Sequence, residues 1–189
     1  MEEEAWLVVG LGNPGSEYDG TRHNAGFAAA DAVAAEVRAN YWKQECGSLV
    51  ASREWDGKQL YVAKPQSFMN LSGVPVSQLM RKHGVPKERL VVVRDDMDLP
   101  EGSVRIKFSS GHGGQNGVRS IIDKVGSKNF YQVKVGIGHP PGRMPAADYV
   151  LSKPRGEAAD LFESGVQRAS ECVLCFLKDG ITKAQDLFN

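Results

Sequence analysis

A chain of 189 residues with a formal net charge of zero fits one domain with a buried core and has no overall attraction to a polyanion. Charged residues make up 24% of the chain and apolar residues 41%, which is ordinary for a globular protein and excludes a disordered one. Any contact with nucleic acid therefore has to be a local patch. We expect a single domain over residues 1–189.

The chain's start and its cysteines bear on its compartment. The three cysteines are an odd number without the spacing of a secreted disulfide framework, which favours a reduced setting. Cys172 and Cys175 form a CxxC string inside an apolar helical pattern, where packing is a simpler explanation than redox or metal chemistry. Residues 1–4 are acidic, unlike a signal or transit peptide, and no run of about 18 apolar residues predicts a membrane span. We expect a cytoplasmic protein.

The first part of the chain alternates strand and helix patterns. Residues 5–10 form a short apolar run ending in glycine, which predicts a buried strand, and residues 24–38 have apolar side chains at helical spacing. Residues 48–55 and 59–63 predict a β-hairpin, because the Asp-Gly pair between them readily adopts the positive φ angles of a tight turn. The order strand, loop, helix favours an α/β protein.

The second part continues the alternation. Residues 71–83 predict a helix that Gly84 ends, and residues 90–93 form a β-branched run typical of a strand covered on both faces. The remaining predicted elements are strands over residues 103–108 and 131–137 and helices over residues 117–125, 157–177 and 181–187. Together they predict a single α/β domain with a mixed central β-sheet surrounded by helices.

Five polar residues lie at predicted strand ends or in glycine-bearing loops. They are Asn13, His23, Asn70, Asp95 and Asn116. Such loops converge in one crevice of an open α/β sheet, so we expect these side chains to meet. His23 precedes a predicted helix, where a packing or surface role is the plainer alternative and where Thr21 or Asn24 is a candidate helix cap.

Asp95 comes just after the predicted strand over residues 90–93. From there a carboxylate can hold one imidazole nitrogen and leave the other free to take a proton from water, with His23 as the candidate base. A solvated turn, or a metal-ligand set of Asp95, Asp96 and Asp98, is the alternative. The chain has neither a GxSxG serine nor an HExxH pair, so direct attack by activated water is the simpler proposal.

The string GLGNPG, from Gly10 to Gly15, fits the spacing of a dinucleotide-binding loop. Pro14, however, lacks the backbone donor that would hold a pyrophosphate, and residues 16–22 do not predict a helix. A cofactor role is therefore the weaker interpretation, beside a plain turn at the end of a strand.

A second glycine-rich loop and three basic residues are suited to anions. Residues 110–117 read SGHGGQNG and connect a predicted strand to a helix, so their amides suit an anion or a bound backbone. Arg105 and Lys107 alternate on one face of a predicted strand, and Lys134 lies on another strand. Such a cluster is suited to phosphates, although exposed strand lysines are usually only solvated charges.

Taken together, these segments resemble the bacterial peptidyl-tRNA hydrolase family over residues 7–187. The matching segments are VGLGNPGSEYDGTRHNAG, KPQSFMNLSG, RDDMDLPEG, GHGGQNG and VGIGHPPGRMPAADYVL. The resemblance implies an enzyme that hydrolyses the ester between a peptide and the terminal ribose of tRNA. It also implies a monomer with no metal and no cofactor.

The resemblance assigns roles to single residues. It implies that His23 is the general base that activates water and that Asp95 orients His23. The implied binding residues are, for the peptide and the acceptor end, Asn13, Tyr18, Met69, Asn70 and Asn116, and, for the tRNA phosphates, Arg105, Lys107 and Lys134. The chain departs from the family at Gln115 and Arg94, where many members have histidine, and at Arg105, where lysine is frequent.

Two other functions stay open at this point. Chloroplast relatives of the family act as RNA–protein scaffolds in intron splicing, and keeping the fold does not prove keeping the reaction. The absence of a transit peptide and the presence of His23 and Asp95 favour the enzyme. A nucleotide-binding enzyme rests on GLGNPG alone.

Overall fold

The structure is a computed structural model that describes residues 4–189, and the acidic residues 1–3 lie outside it. Its strands are β1 (Glu4–Gly10), β2 (Lys43–Glu45), β3 (Ser48–Trp55), β4 (Lys58–Pro65), β5 (Leu90–Asp96), β6 (Val104–Phe108) and β7 (Tyr131–Gly136). Its α-helices are α1 (Ala25–Glu36), α2 (Gly73–His83), α3 (Asn116–Val125), α4 (Ala146–Val150), α5 (Glu157–Asp179) and α6 (Ile181–Phe188). Short 3-10 turns cover Ser16–Tyr18, Arg22–Asn24, Met69–Leu71 and Lys87–Arg89.

All these strands form one seven-stranded mixed sheet, in the order β2-β3-β4-β1-β5-β7-β6. The four central strands β4, β1, β5 and β7 run parallel, while β2, β3 and β6 pair antiparallel with their neighbours. Because successive side chains of a strand point to opposite faces, β1 and β5 supply both halves of the core. Val8 and Val91 pack with residues of α1 and α5, and Leu7 and Val92 pack with residues of α2 and α3. The predicted α/β fold with a mixed sheet between helices is confirmed.

Local signals placed several boundaries correctly. In the hairpin turn, Asp56 and Gly57 have φ angles of 50° and 72°, as the Asp-Gly pair predicted. Gly84, with φ of 65°, ends α2 in the left-handed conformation. Cys172 is buried in the core, and burial raises the pKa of its thiol to about 12, which fits a packing role.

The end of β5 differs from the prediction. The strand continues through Asp96, because Asp95 pairs with Val135 and Asp96 with Gly136 in the neighbouring β7. Asp95 is therefore fixed within the sheet, not in the turn that follows it. The sequence also gave no sign of β2 or of α4, which are too short to show a period. Among residues 4–189, no helix combines the length and the apolar character needed to cross a membrane.

Candidate active site

A cavity of about 470 Å³ opens beside the carboxyl ends of β1 and β5. This is where ligands bind in open α/β sheets. The predicted residues that line it are Asn13, His23, Met69, Asn70, Asp95 and Asn116. The structure thus brings together side chains from the loop after β1, two 3-10 turns, the end of β5 and the start of α3.

His23 and Asp95 form a hydrogen-bonded pair in this cavity. The Nδ1 atom of His23 lies 2.9 Å from Oδ2 of Asp95, and the two side chains are only 14% and 4% exposed. Because an ionised carboxylate only accepts hydrogen bonds, Nδ1 carries the proton. The Nε2 atom of His23 has no hydrogen-bond partner among the described residues, so its lone pair is available to a molecule in the cavity.

Two opposing effects set the pKa of His23. Burial lowers the pKa, because it disfavours the charged imidazolium, while the negative charge and the hydrogen bond of Asp95 raise it. The attraction of Asp95 outweighs burial, and the pKa of His23 lies above its ordinary value of 6.5. Asp95 therefore makes His23 a stronger base than a free imidazole.

The second carboxylate oxygen of Asp95 also has a partner. The Nε2 group of Gln115 donates to Oδ1 of Asp95 at 3.1 Å and approaches the Met69 sulfur at 3.4 Å. The Gln115 carbonyl oxygen accepts from the backbone N–H of Val118 at 2.9 Å, which caps α3. Gln115 is thus bonded to the His23–Asp95 pair and is part of the site.

Asn13 is held from three directions. Its Oδ1 atom accepts from the backbone N–H of Met69 at 2.8 Å. The Nδ2 group of Asn13 is therefore available to donate to another acceptor. The side chain of Asn24 accepts from the backbone N–H of Asn13 at 2.9 Å and donates to its carbonyl at 3.0 Å. The predicted helix cap is wrong. The Asn24 side chain binds the backbone of Asn13, and the Thr21 hydroxyl donates to the carbonyl of Tyr18, so neither side chain caps a helix.

The other predicted binding residues differ in their access to the cavity. Asn70 and Asn116 are exposed, and both line the cavity, Asn70 from the turn Met69–Leu71 and Asn116 from the start of α3. Tyr18 is not among the lining residues. Its ring packs edge-on against Phe68, with the centroids 6.5 Å apart, and Phe68 is the aromatic residue that lines the cavity.

Three neighbouring aspartates turn to three different partners. Asp95 binds His23, Oδ2 of Asp96 lies 3.3 Å from Nη1 of Arg94, and Oδ1 of Asp98 lies 3.1 Å from Nε2 of His139. Their arrangement does not resemble a ligand set. Within the described part of the chain, no group of three or more His, Cys, Asp or Glu side chains is arranged to hold a metal ion.

The glycines of GLGNPG serve close packing. A Cβ atom on Gly10 would lie 2.0 Å from the carbonyl oxygen of Gly26, and one on Gly26 would lie 2.3 Å from the backbone nitrogen of Leu11. Because only glycine fits at both positions, α1 begins directly against the end of β1. This close contact explains why a glycine stands at the end of β1.

A family model described as peptidyl-tRNA hydrolase matches residues 7–189. The chain belongs to the peptidyl-tRNA hydrolase family. It is 44% identical over 182 residues to a peptidyl-tRNA hydrolase of Nocardia farcinica, covering 95% of this chain and 94% of the relative. To one of Dehalococcoides mccartyi it is 40% identical over 186 residues, covering 97% and 98%. The crystal structure of peptidyl-tRNA hydrolase from Acinetobacter baumannii matches with a TM-score of 0.89 at 30% identity, covering 98% and 95%. The resemblance carried by the motifs is confirmed.

The three basic residues lie on two neighbouring strands at the edge of the sheet. Arg105 and Lys134 are directly paired between β6 and β7, and Arg105 and Lys107 are exposed. Lys134 is only 9% exposed, and its ammonium donates to the Ser110 hydroxyl at 2.8 Å. Burial and the nearby Arg94 lower the pKa of Lys134. Arg105 and Lys107 are therefore accessible to a ligand in solution, whereas Lys134 is buried.

Sequence reasoning missed the apolar wall of the cavity. Residues of α4 and the adjacent Leu151 line the cavity. Arg22, next to His23, binds the segment that forms this wall. Its Nη1 group donates to the Ser152 hydroxyl at 2.6 Å, and its guanidinium lies 4.3 Å from the Tyr149 ring centre. No local signal could reveal this, because the partners are 130 residues apart in the sequence.

Proposed function

We propose that this chain hydrolyses the ester bond between a peptide and the terminal ribose of tRNA, using water activated by His23. Family membership supports the reaction and the substrate. The observation that carries the mechanism is the His23–Asp95 pair, which leaves Nε2 of a buried, cavity-lining imidazole without a protein partner in residues 4–189. A base in this position can take a proton from water in the cavity.

The proposed reaction balances without a metal or a covalent intermediate. A water molecule gives a proton to Nε2 of His23 while its oxygen attacks the ester carbonyl carbon. Asp95 stabilises the imidazolium that forms and keeps the ring oriented. The tetrahedral intermediate then expels the ribose oxygen, which receives the proton from Nε2. The products are a peptide carboxylic acid and tRNA with a free hydroxyl.

The side-chain amides of the cavity are suited to the peptide and to the acceptor end of the substrate. Because Met69 occupies Oδ1 of Asn13, the Nδ2 group of Asn13 is the donor for a substrate carbonyl. We assign Asn70 and Asn116 to the peptide backbone and the acceptor end, because both are exposed at the cavity's rim. Met69 contacts the substrate directly, and Tyr18 acts through Phe68.

The tRNA phosphates are assigned to the basic edge of the sheet. Arg105 and Lys107 are exposed on β6 and meet phosphates directly, which gives a neutral protein the local patch that its composition required. The ammonium of Lys134 donates to Ser110, so this residue contributes positive potential to the patch and does not contact a phosphate directly. The family resemblance supports a monomer, and the substrate supports a cytoplasmic setting.

The test is the release of labelled peptide from an N-blocked aminoacyl-tRNA, with a chelator present. We expect turnover by the unaltered protein and by His139→Ala, a matched control whose imidazole is 70% exposed. His23→Ala should lose activity by about a thousandfold or more while its folding and tRNA binding persist. Full activity of His23→Ala would disprove the base. Tight tRNA binding without turnover by the unaltered protein would favour an RNA scaffold instead.

A further inference from the structure

The Asp95 carboxylate receives a donor on each oxygen. His23 binds Oδ2 at 2.9 Å, and the side-chain amide of Gln115 binds Oδ1 at 3.1 Å. Among the described residues these are its only side-chain donors. Both oxygens of this buried carboxylate are therefore fixed in direction.

The direction of the Gln115 amide is itself fixed. Its carbonyl oxygen accepts from the backbone N–H of Val118 in the first turn of α3, so its NH₂ group must face Asp95. The reverse orientation would place an amide oxygen against a carboxylate oxygen and leave the N–H of Val118 without its acceptor. Gln115 is 8% exposed and has little room to move away.

The charged groups around this contact are occupied elsewhere. Arg94, which precedes Asp95 in β5, pairs with Asp96 at 3.3 Å, and it donates to the backbone carbonyl of Asp95 rather than to its carboxylate. Asp98 pairs with the exposed His139. The second oxygen of Asp95 thus depends on Gln115, a neutral donor that does not titrate.

We propose that Gln115 is a positioning residue for the reaction: it fixes the Asp95 carboxylate so that Oδ2 faces His23. This rests on the proposed function, in which His23 is the base. An amide keeps its donor whether the site is acidic or basic, so the orientation of His23 does not depend on a further protonation. Gln115 has no role in bond making or breaking.

The first test is Gln115→Glu, which keeps an oxygen for the N–H of Val118 and so keeps the cap on α3. The second oxygen lies against Oδ1 of Asp95, and because two carboxylates this close share one proton, it keeps a donor only until the pair ionises at higher pH. The added negative charge of the ionised pair favours the imidazolium, so the NMR titration of His23 should become coupled to this ionisation and its midpoint should rise. Gln44→Glu is the matched control, because Gln44 is exposed on β2, and its His23 midpoint should stay unchanged.

The NMR titration needs no substrate, so it separates the two hypotheses. Absence of turnover by the unaltered protein would overturn the proposed function and leave the titration interpretable. A folded Gln115→Glu variant in which the His23 titration shows no coupling to a second ionisation would overturn the contact with Asp95 on which the positioning role rests.

A double-mutant cycle provides a second, independent test. Gln115→Leu removes both the donor to Asp95 and the cap, and we expect kcat to fall about tenfold with little change in KM. In an Asp95→Asn background the same change should cost no further kcat, because the oriented carboxylate is already gone. The stability loss from the missing cap should appear in both backgrounds. Equal losses of kcat in both backgrounds would show that Gln115 acts only on structure.

Discussion

The side chain of Asn24 forms hydrogen bonds with both backbone groups of Asn13, at 2.9 Å to the N–H and 3.0 Å to the carbonyl. A single buried amide thereby fixes the loop after β1 onto the turn that carries His23. The position of the Asn13 side chain in the cavity depends on this contact. Asn24, which does not line the cavity, thus links the segment of the base to the segment of the amide donor.

Asn24→Asp should damage the site more than its small change in volume suggests. A carboxylate at this position would lie against the Asn13 carbonyl, and the two acceptors would repel each other. We expect the free energy of unfolding to fall by about 1–3 kcal/mol and kcat/KM to fall about tenfold. Asn40→Asp, at an exposed position beyond α1, is the control. Denaturant unfolding and peptide release measure the two effects, and unchanged values for Asn24→Asp would contradict this assignment.

The pH dependence of kcat/KM should follow the raised pKa of His23. Only the neutral imidazole accepts a proton from water, so activity should rise with pH, and its midpoint should lie above the ordinary histidine value of 6.5. In Asp95→Asn the attraction is lost while burial remains, so the midpoint should move downward and kcat should fall. A midpoint in Asp95→Asn equal to that of the unaltered protein would show that Asp95 does not set the basicity.

Lys107→Ala should weaken the binding of tRNA and leave the chemical step intact. Lys107 is exposed on β6 and does not line the cavity, so its loss removes one phosphate contact. We expect KM to rise roughly fivefold at low salt, kcat to stay constant and the slope of log K against log salt to decrease by about 1. Lys178→Ala, exposed near the end of α5, should change none of these values. An unchanged salt slope in Lys107→Ala would remove this residue from the phosphate patch.

Glu45→Gln should affect stability alone. The Glu45 carboxylate binds His83 and lies 3.3 Å from the ammonium groups of both Lys43 and Lys82. Burial raises the pKa of Glu45, but the lowering by these partners is larger, so the pKa lies below the ordinary value. A lowered pKa stabilises the fold above the ordinary glutamate range, and this stability disappears as the pH falls through the lowered pKa. We expect a loss of about 1–2 kcal/mol near neutral pH that vanishes in acid, as measured by urea unfolding at several pH values.

Turnover per folded molecule is the control for Glu45→Gln. Glu45 lies in β2 at the edge of the sheet and does not line the cavity, so we expect kcat and KM to remain unchanged. A stability loss that persists at low pH would contradict an electrostatic role.

The elements that could be predicted from the sequence are those specified by nearby residues. The Asp-Gly turn and the end of α2 at Gly84 depend on the φ angles of single residues, and the long helix α5 depends on a period that many residues repeat. The end of β5 was misplaced because Asp95 and Asp96 are polar. Their place in the strand comes from pairing with β7, about forty residues later, which a local pattern does not contain.

The sequence by itself determined the family, because long motifs in a fixed order depend on residue identity alone. With the family came the prediction that His23 and Asp95 are the catalytic pair. Only the tertiary structure decided how the site is supported. Asn24 binds Asn13 instead of capping a helix, Gln115 joins Asp95 to α3, and Lys134 is buried against Ser110. Each of these polar side chains has several possible partners nearby in the sequence. The choice is made by burial, since a buried polar group must bind whichever partner the folded sheet and loops bring within reach.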